Sequence, residues 1–159
     1  MADRVGGVPG DPAADRNWLA AAIELSRRCP LSDSAFSVGA VVVDPSGLVI
    51  ATGYSREGDP HEHAEEVALA KARAAGVSVA GATLYSSLEP CLRRASRPVP
   101  CAELVAAGGI RRVVIAWREP PLFQTGGGAA WLASHGVRVA EIAELAAAAR
   151  AVNKHLRRD

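Results

Sequence analysis

The chain has 159 residues, 49% of them hydrophobic, and 18 basic against 17 acidic residues leave a formal net charge of +1. A chain of this size makes one domain with a sizeable core. The balanced charge excludes the broad basic surface of a polynucleotide binder, and no apolar run reaches the roughly 20 residues that span a bilayer.

The opening stretch, MADRVGGVPGDPAAD, is rich in Gly, Pro, Asp and Ala, so residues 1–14 read as a flexible tail ahead of a single domain at 15–159. No charged segment followed by an apolar stretch opens the chain, and no signal peptide is expected. Cys29, Cys91 and Cys101 are too few for a disulfide scaffold, which points to a reducing cytoplasm and free thiols. Asp15 is expected to cap a helix running to about Arg28, with Trp18, Leu19, Ala22, Ile23 and Leu25 as its buried face. After the polar loop CPLSDSAF, SVGAVVVD reads as a strand. Asp44-Pro45-Ser46-Gly47 has the residues of a type I turn. LVIATGY is the returning strand, which makes an antiparallel hairpin.

REGDPHE then leads into a helix from about His63 to Ala75, closed by Gly76. ATLYSSL is a third strand, EPCLRRASRPVP a long loop, and a helix from about Cys101 to Ala107 ends at Gly108-Gly109. Arg111 to Trp117 is a fourth strand. REPPLFQTGGG is too rich in breakers for regular structure. Ala129 to Ser134 is a short helix and GVRVA a fifth strand. A last helix is expected from Glu141 to Arg157, with Ile142, Leu145, Ala149, Val152 and Leu156 as its buried stripe and Lys154, Arg157 and Arg158 at its negative end. The helix between strands four and five makes them parallel. A hairpin followed by alternating helices and strands is an α/β layered domain with a mixed sheet.

Three side chains, His63, Cys91 and Cys101, are soft-to-borderline metal donors. Two thiolates and an imidazole suit Zn²⁺ and leave its fourth position to water. The pKa of such a water falls from about 15.7 toward about 7. Glu65, two residues after His63, can carry a proton to a leaving group. Both HAE and PCA open predicted helices, whose first turns reach one common space and whose partial positive charge favours thiolate. Glu66, one residue further round, is expected to point away and tolerate alanine. Cys29 reads as a small buried hydrophobe, His61 and His135 as loop or surface residues, and His155 as a helix-end cation. Arg93, Arg94 and Arg97 lie between the two cysteines, where a solvated loop and a phosphate clamp are both open readings.

His63-Ala64-Glu65 followed by Pro90-Cys91 resembles the zinc nucleobase deaminase signature H-x-E, P-C-x-x-C, with nine residues rather than two before Cys101. That gap, framed by LEPC and RPVPC, is similar to the deaminase domain of the bacterial riboflavin-pathway deaminase/reductase family. The likeness runs from Asp15 to about Leu156 and includes VG in the first strand, Gly53-Tyr54, GATLY at 81–85 and AAGGIRRVV. The resemblance implies a three-layer α/β/α cytidine-deaminase-like fold with a mixed five-stranded sheet. It implies one Zn²⁺ per chain on His63, Cys91 and Cys101, with Glu65 as the proton shuttle. The implied reaction is hydrolytic release of ammonia from the exocyclic amine of an aminopyrimidine or related small heterocycle. A homodimer and a substrate pocket containing Phe36, Ser55, Arg93, Arg94 and Arg97 are implied as well.

The departures from the family pattern fall around that pocket. Ser34-Ala35-Phe36 stands where the family carries Pro-Asn-Pro, LRRASR replaces a Ser-His-x-Gly-Arg run, and Val67 stands where a histidine follows the glutamate. FSVGAVVV also resembles the corresponding strand of cytidine deaminases, so a nucleoside or nucleotide deaminase, including one of secondary metabolism, is the alternative. A non-enzymatic zinc module would need a fourth ligand such as His61. Deamination of a base in tRNA or DNA lacks its basic surface.

Overall fold

The computed structural model describes residues 6–123 and 126–156. Helix α1 (Pro12–Ser26) starts where proline's fixed φ suits the first helical position, and the Asp11 carboxylate accepts from Ala14 N–H at 3.2 Å. The cap is therefore Asp11 and not Asp15, and the helix takes in residues 12–14 of the segment expected to be tail. Asp15 is buried instead. Its carboxylate accepts hydrogen bonds from Tyr85 Oη (2.6 Å), both Arg112 Nη atoms (2.9 and 2.6 Å) and Gly10 N–H (3.1 Å). A buried charge needs partners of this kind, and Tyr85 and Arg112 supply three of the four from the sheet beneath the helix. Trp18 Nε1–H donates to Gly7 O at 2.8 Å, which lays the Gly7 segment along the helix. Residues 1–5 of the expected tail lie outside the described residues.

Strands β1 (Gly39–Val43) and β2 (Val49–Tyr54) form the expected antiparallel hairpin. Gly47 N–H donates to Asp44 O at 3.0 Å to close its turn, and the Asp44 carboxylate accepts from Ser46 and Leu48 N–H. Strand β3 (Thr83–Ser86) pairs antiparallel with β1. Strands β4 (Arg112–Ile115) and β5 (Arg138–Glu141) extend the sheet in parallel from β3. Among the described residues the sheet has five strands in the order β2-β1-β3-β4-β5.

Alternation along the strands feeds two cores, as a pleat requires. Ala40, Val42, Leu84, Val113 and Ile115 face helices α2 (Ala64–Ala74), α3 (Cys101–Ala107) and α4 (Gly128–Ser134). Val41, Val43, Tyr85 and Val114 face α1 and α5 (Ala146–Val152). This is the three-layer α/β/α arrangement, and it makes β1 apolar on both faces. Two glycines set the spacing of the layers. A Cβ on Gly39 would lie 1.9 Å from Ala22 O of α1, and one on Gly53 would lie 2.4 Å from Ala64 O of α2. The VG and GY pairs of the sequence thus mark where helix backbone touches sheet backbone.

The last helix is not continuous to Arg157. A 3₁₀ turn at Ala143–Leu145 precedes α5, and another at Lys154–Leu156 follows it. The break falls at buried Asn153, whose side chain accepts from Ser37 N–H (2.7 Å) and donates to Ser37 O (3.0 Å). Two bonds to the β1 approach outweigh one further helical turn. Ala149 and Leu156 of the expected stripe are buried, with Ile142, Leu145 and Val152 partly so, and Arg157 and Arg158 lie outside the described residues. No helix among the described residues is long and apolar enough to cross a membrane.

Candidate active site

Two helix starts and one loop build the site. His63 is the N-cap of α2, with extended backbone, and its N–H is taken by the Glu66 carboxylate at 3.3 Å. The other end of α2 closes as a Schellman motif on Gly76 (φ +70), where Val77 N–H reaches Ala72 O at 3.0 Å. Cys101 opens α3 behind Pro100. Pro100 offers no side-chain cap, and Cys91 takes that place. Its Sγ accepts from Cys101 N–H at 3.3 Å and its carbonyl from Ala102 N–H at 3.0 Å. One cysteine thus fixes the helix start that presents the other.

The three donor atoms of His63, Cys91 and Cys101 lie within 4.8 Å of one another. His63 Nδ1 stands 3.5 Å from Cys91 Sγ and 3.4 Å from Cys101 Sγ. Ligands at about 2.0–2.3 Å from a tetrahedral zinc stand roughly 3.5 Å from each other, so the spacing fits that ion. Both cysteines are free thiols and buried. Hydrogen bonding to Cys101 and His63 draws Cys91 down to about 4 against its burial. The Cys91 sulphur, burial and Glu65 push Cys101 well above an ordinary thiol. A dication bound between them would favour thiolate at both.

Glu65 follows on the first turn of α2 and is 3% exposed. Its Oε1 accepts from Ser86 Oγ at 2.8 Å, at the end of β3. Burial pushes its carboxyl up, partly opposed by His63. Glu65 opens onto a cavity of about 920 Å³ walled by the 30–38 loop, the 55–63 loop, the segment after Cys91, and Glu119 and Phe123 beyond β4.

The other sequence-predicted residues divide. Phe36 and buried Ser55 line the cavity; Ser55 Oγ accepts from Val38 N–H at 2.9 Å, and Phe36 packs edge-on against Trp117 and Phe123. Arg93 is exposed at the cavity wall. Arg94 also lies in the wall, but its side chain is only 1% exposed. It donates to His61 O (2.7 Å) and Glu66 Oε1 (3.4 Å), lies 3.9 Å from Cys101 Sγ, and leaves its Nε without a partner. Arg97 is not among the cavity-lining residues and pairs with Asp59 (3.6 Å) and Glu66 (3.4 Å). Glu66 is therefore not the idle neighbour expected from helix geometry: it holds His63 N–H and both of these arginines. Cys29 is buried away from the site, its thiol toward Val38 O at 3.4 Å.

Two carboxylates emerge that the sequence reading passed over. Buried Glu89 accepts from Glu119 N–H (3.0 Å) and from Ala129 N–H in the first turn of α4 (2.8 Å), pinning the loop that closes the cavity. Gly128 is required there, because a Cβ would lie 1.8 Å from Pro90 O. LEPC carried a signal for Glu89. Glu119 sits in the breaker-rich stretch without a motif. Burial, then Cys91, Glu89 and Glu65, push it up to about 8.

A sequence profile described as the cytidine and deoxycytidylate deaminase zinc-binding region matches residues 12–117. A diaminohydroxyphosphoribosylamino-pyrimidine deaminase of Schizosaccharomyces pombe is 36% identical over 132 residues, 82% of this chain and 32% of that protein. The riboflavin biosynthesis protein RibD of Aquifex aeolicus is 37% identical over 127 residues, 79% of this chain and 34% of that one. The chain thus spans about a third of the length of these curated relatives. The solved deaminase/reductase of Thermotoga maritima matches at a TM-score of 0.72 and 32% identity, over 89% of this chain and 38% of that one. The Aspergillus oryzae Rib2 deaminase in complex with DARIPP matches at 0.71 and 20% identity over 89% of this chain and 95% of that one, a likeness of fold alone.

Proposed function

The chain belongs to the cytidine and deoxycytidylate deaminase zinc-binding family, and on that premise we propose that it is a zinc-dependent hydrolytic deaminase of an aminopyrimidine or related small heterocycle. One observation carries the reading: a His-Cys-Cys donor set of zinc spacing beside a buried carboxylate, all opening on one cavity. His63, Cys91 and Cys101 would hold the ion, which when bound supplies a water acidified to near-neutral pKa. Glu65 moves the protons. Ser86 Oγ, 2.8 Å from Glu65 Oε1, positions the carboxyl, which receives one proton of the attacking water and passes it to the ring nitrogen, then takes the second from the hydroxyl now on the ring carbon and passes it to the amine that departs as ammonia. Burial, which raises the carboxyl's proton affinity, suits that relay.

The donor cluster holds three side chains among the described residues, and His61 is exposed and outside it, which supports an open catalytic site over a closed structural one. One sheet covered on both faces supports a single deaminase domain. The names of the relatives favour a riboflavin-pathway pyrimidine, with a nucleoside or nucleotide of the cytidine type second. Free thiols support a reducing cytoplasm. A homodimer rests on family likeness, and light scattering tests it.

The deciding experiment follows ammonia release by zinc-loaded protein from amino-pyrimidine bases, nucleosides and nucleotides. Chelation or Cys91→Ala should abolish release together with zinc. Glu65→Gln should keep about one zinc per chain and lose about 10²–10⁴ in kcat. Full turnover by Glu65→Gln would remove the carboxylate from the mechanism.

A further inference from the structure

One wall of the cavity has no regular structure to hold it. Residues 30–38, between α1 and β1, form neither helix nor strand. Pro30, Leu31, Ser32, Ser34, Phe36 and Val38 nevertheless all line the cavity. A free segment of this kind would have to be ordered each time a ligand closed against it, at a cost in affinity. We propose that Arg56 and Asn153 are positioning residues for the reaction, which grip residues 30–38 from two sides and thereby set the substrate wall. The proposal rests on the deaminase reading above.

Arg56 stands two residues past β2 with φ 60, a left-handed backbone that a residue with a side chain adopts when its surroundings impose it. Its N–H donates to Glu62 O at 2.9 Å, which draws the 55–63 loop together. Its guanidinium crosses to the other loop. Nε and Nη2 donate to Pro30 O (3.0 and 2.7 Å), Nη1 to Phe36 O (3.1 Å) and Nη2 also to Ser37 Oγ (3.0 Å). No carboxylate pairs with it among the described residues. A planar fork can serve acceptors at both ends of the segment at once, as a lysine ammonium cannot. One residue thus ties two walls of the cavity together.

Asn153 works from the opposite side, at the C-terminal end of α5, and is 4% exposed. Its Oδ1 accepts from Ser37 N–H (2.7 Å), and its Nδ2 donates to Ser37 O (3.0 Å) and Ala149 O (3.3 Å). His155 Nε2 lies 3.0 Å from Ser32 O and adds a third hold. Both grips meet at buried Ser37: Arg56 takes its hydroxyl and Asn153 its backbone. The neighbouring residue is Phe36, whose ring lies edge-on to Trp117 and Phe123 at the cavity. Fixing Ser37 therefore fixes where the Phe36 ring stands. The reacting groups are held elsewhere, His63 and Glu65 at the start of α2 and Cys101 at the start of α3. Loosening the wall should change binding and leave the chemistry alone.

The test compares Arg56→Lys and Asn153→Ala with wild type as zinc-loaded, full-length protein. It measures kcat and KM for ammonia release from an aminopyrimidine, its ribonucleoside and its 5′-monophosphate, together with zinc content and hydrogen exchange of residues 30–38. Each variant should raise KM about ten-fold on every probe that the wild type turns over, with kcat and zinc within about two-fold, the scale of having to order a loop on binding. Exchange in residues 30–38 should quicken. Arg56→Lys carries the test if Asn153→Ala does not fold. A lower melting temperature with unchanged KM and exchange overturns the proposal, because both residues would then serve stability alone. A KM rise confined to the monophosphate also overturns it, since Arg56 would then be a direct phosphate contact. So does a fall in kcat or zinc in step with the rise in KM. Wild type that releases ammonia from none of the probes sinks the deaminase reading; the grip is then decided by exchange, and unaltered exchange in both variants overturns it.

Discussion

Asp15→Ala should be one of the most damaging single changes outside the site. The carboxylate accepts four hydrogen bonds, two of them from Arg112 at 2.9 and 2.6 Å and one from Tyr85 at 2.6 Å. Truncation leaves the hydroxyl of fully buried Tyr85 without an acceptor, at about 1–3 kcal/mol. It also strips Arg112 of its partner. Breaking a buried pair costs about 3–5 kcal/mol, but the Arg112 side chain is 21% exposed, so water recovers part of that. The sum should be about 3–4 kcal/mol, out of the 5–15 kcal/mol that a domain of this kind has in total. Urea unfolding followed by tryptophan fluorescence reads it directly, since Trp18 lies on the same helix. Burial pushes the Asp15 carboxyl up, yet hydrogen bonds from Arg112, Tyr85 and Gly10 outweigh it and hold it below its ordinary value. A depressed carboxyl gives stability that is fully present above its unfolded pKa of about 3.9 and fades as pH falls through the lower folded value. Wild type should therefore weaken more steeply than Asp15→Ala below pH ~4. A loss under about 1 kcal/mol, or identical acid limbs, would refute the account of this network.

Two further outcomes concern how the site is held. Glu66→Ala should keep the fold but lower zinc affinity about ten-fold in a chelator competition, the usual scale for an outer-shell partner; an unchanged affinity would return Glu66 to the role of bystander. Gly53→Ala should cost about 1–3 kcal/mol by overpacking, because its Cβ would meet Ala64 O at 2.4 Å. The first turn of α2 would shift with it, so zinc content should fall alongside stability. Loss of stability with full zinc binding would show that α2 yields elsewhere.

What the sequence disclosed follows the range of the interactions involved. The β1–β2 hairpin, the Gly76 helix end and the start of α3 at Cys101 are decided by residues a few positions apart, and their chemistry is readable in order. The parallel β4–β5 pair was legible because the intervening helix leaves only one way back to the sheet. His63, Glu65 and Cys101 were legible because each sits on the cap or first turn of a helix with a recognisable start. Asp15 was misassigned, and the roles of Asn153 and Arg94 were left undecided, for the opposite reason. Each looks like a cap, a helix residue or a solvated cation until its partner is known, and those partners are Tyr85 and Arg112, Ser37, and His61 with Glu66. Glu119 had no local pattern to betray it, since its importance comes from a cavity that exists only once α4 has docked on Pro90.

The nine residues between Cys91 and Cys101 explain why Arg94 and Arg97 are committed to the protein itself. Two cysteines three apart are held by a single turn of backbone. A longer connection must fix more torsions before it brings the second thiol back to the first, and that entropy has to be met by contacts. The loop meets it at three levels. Cys101 and Ala102 N–H bond the sulphur and carbonyl of Cys91, Arg94 reaches back to His61 O, and Arg94 and Arg97 share the Glu66 carboxylate that also holds His63 N–H. Each brace links the loop either to the first cysteine or to the start of α2, so all three candidate zinc ligands are tied by one network centred on Glu66.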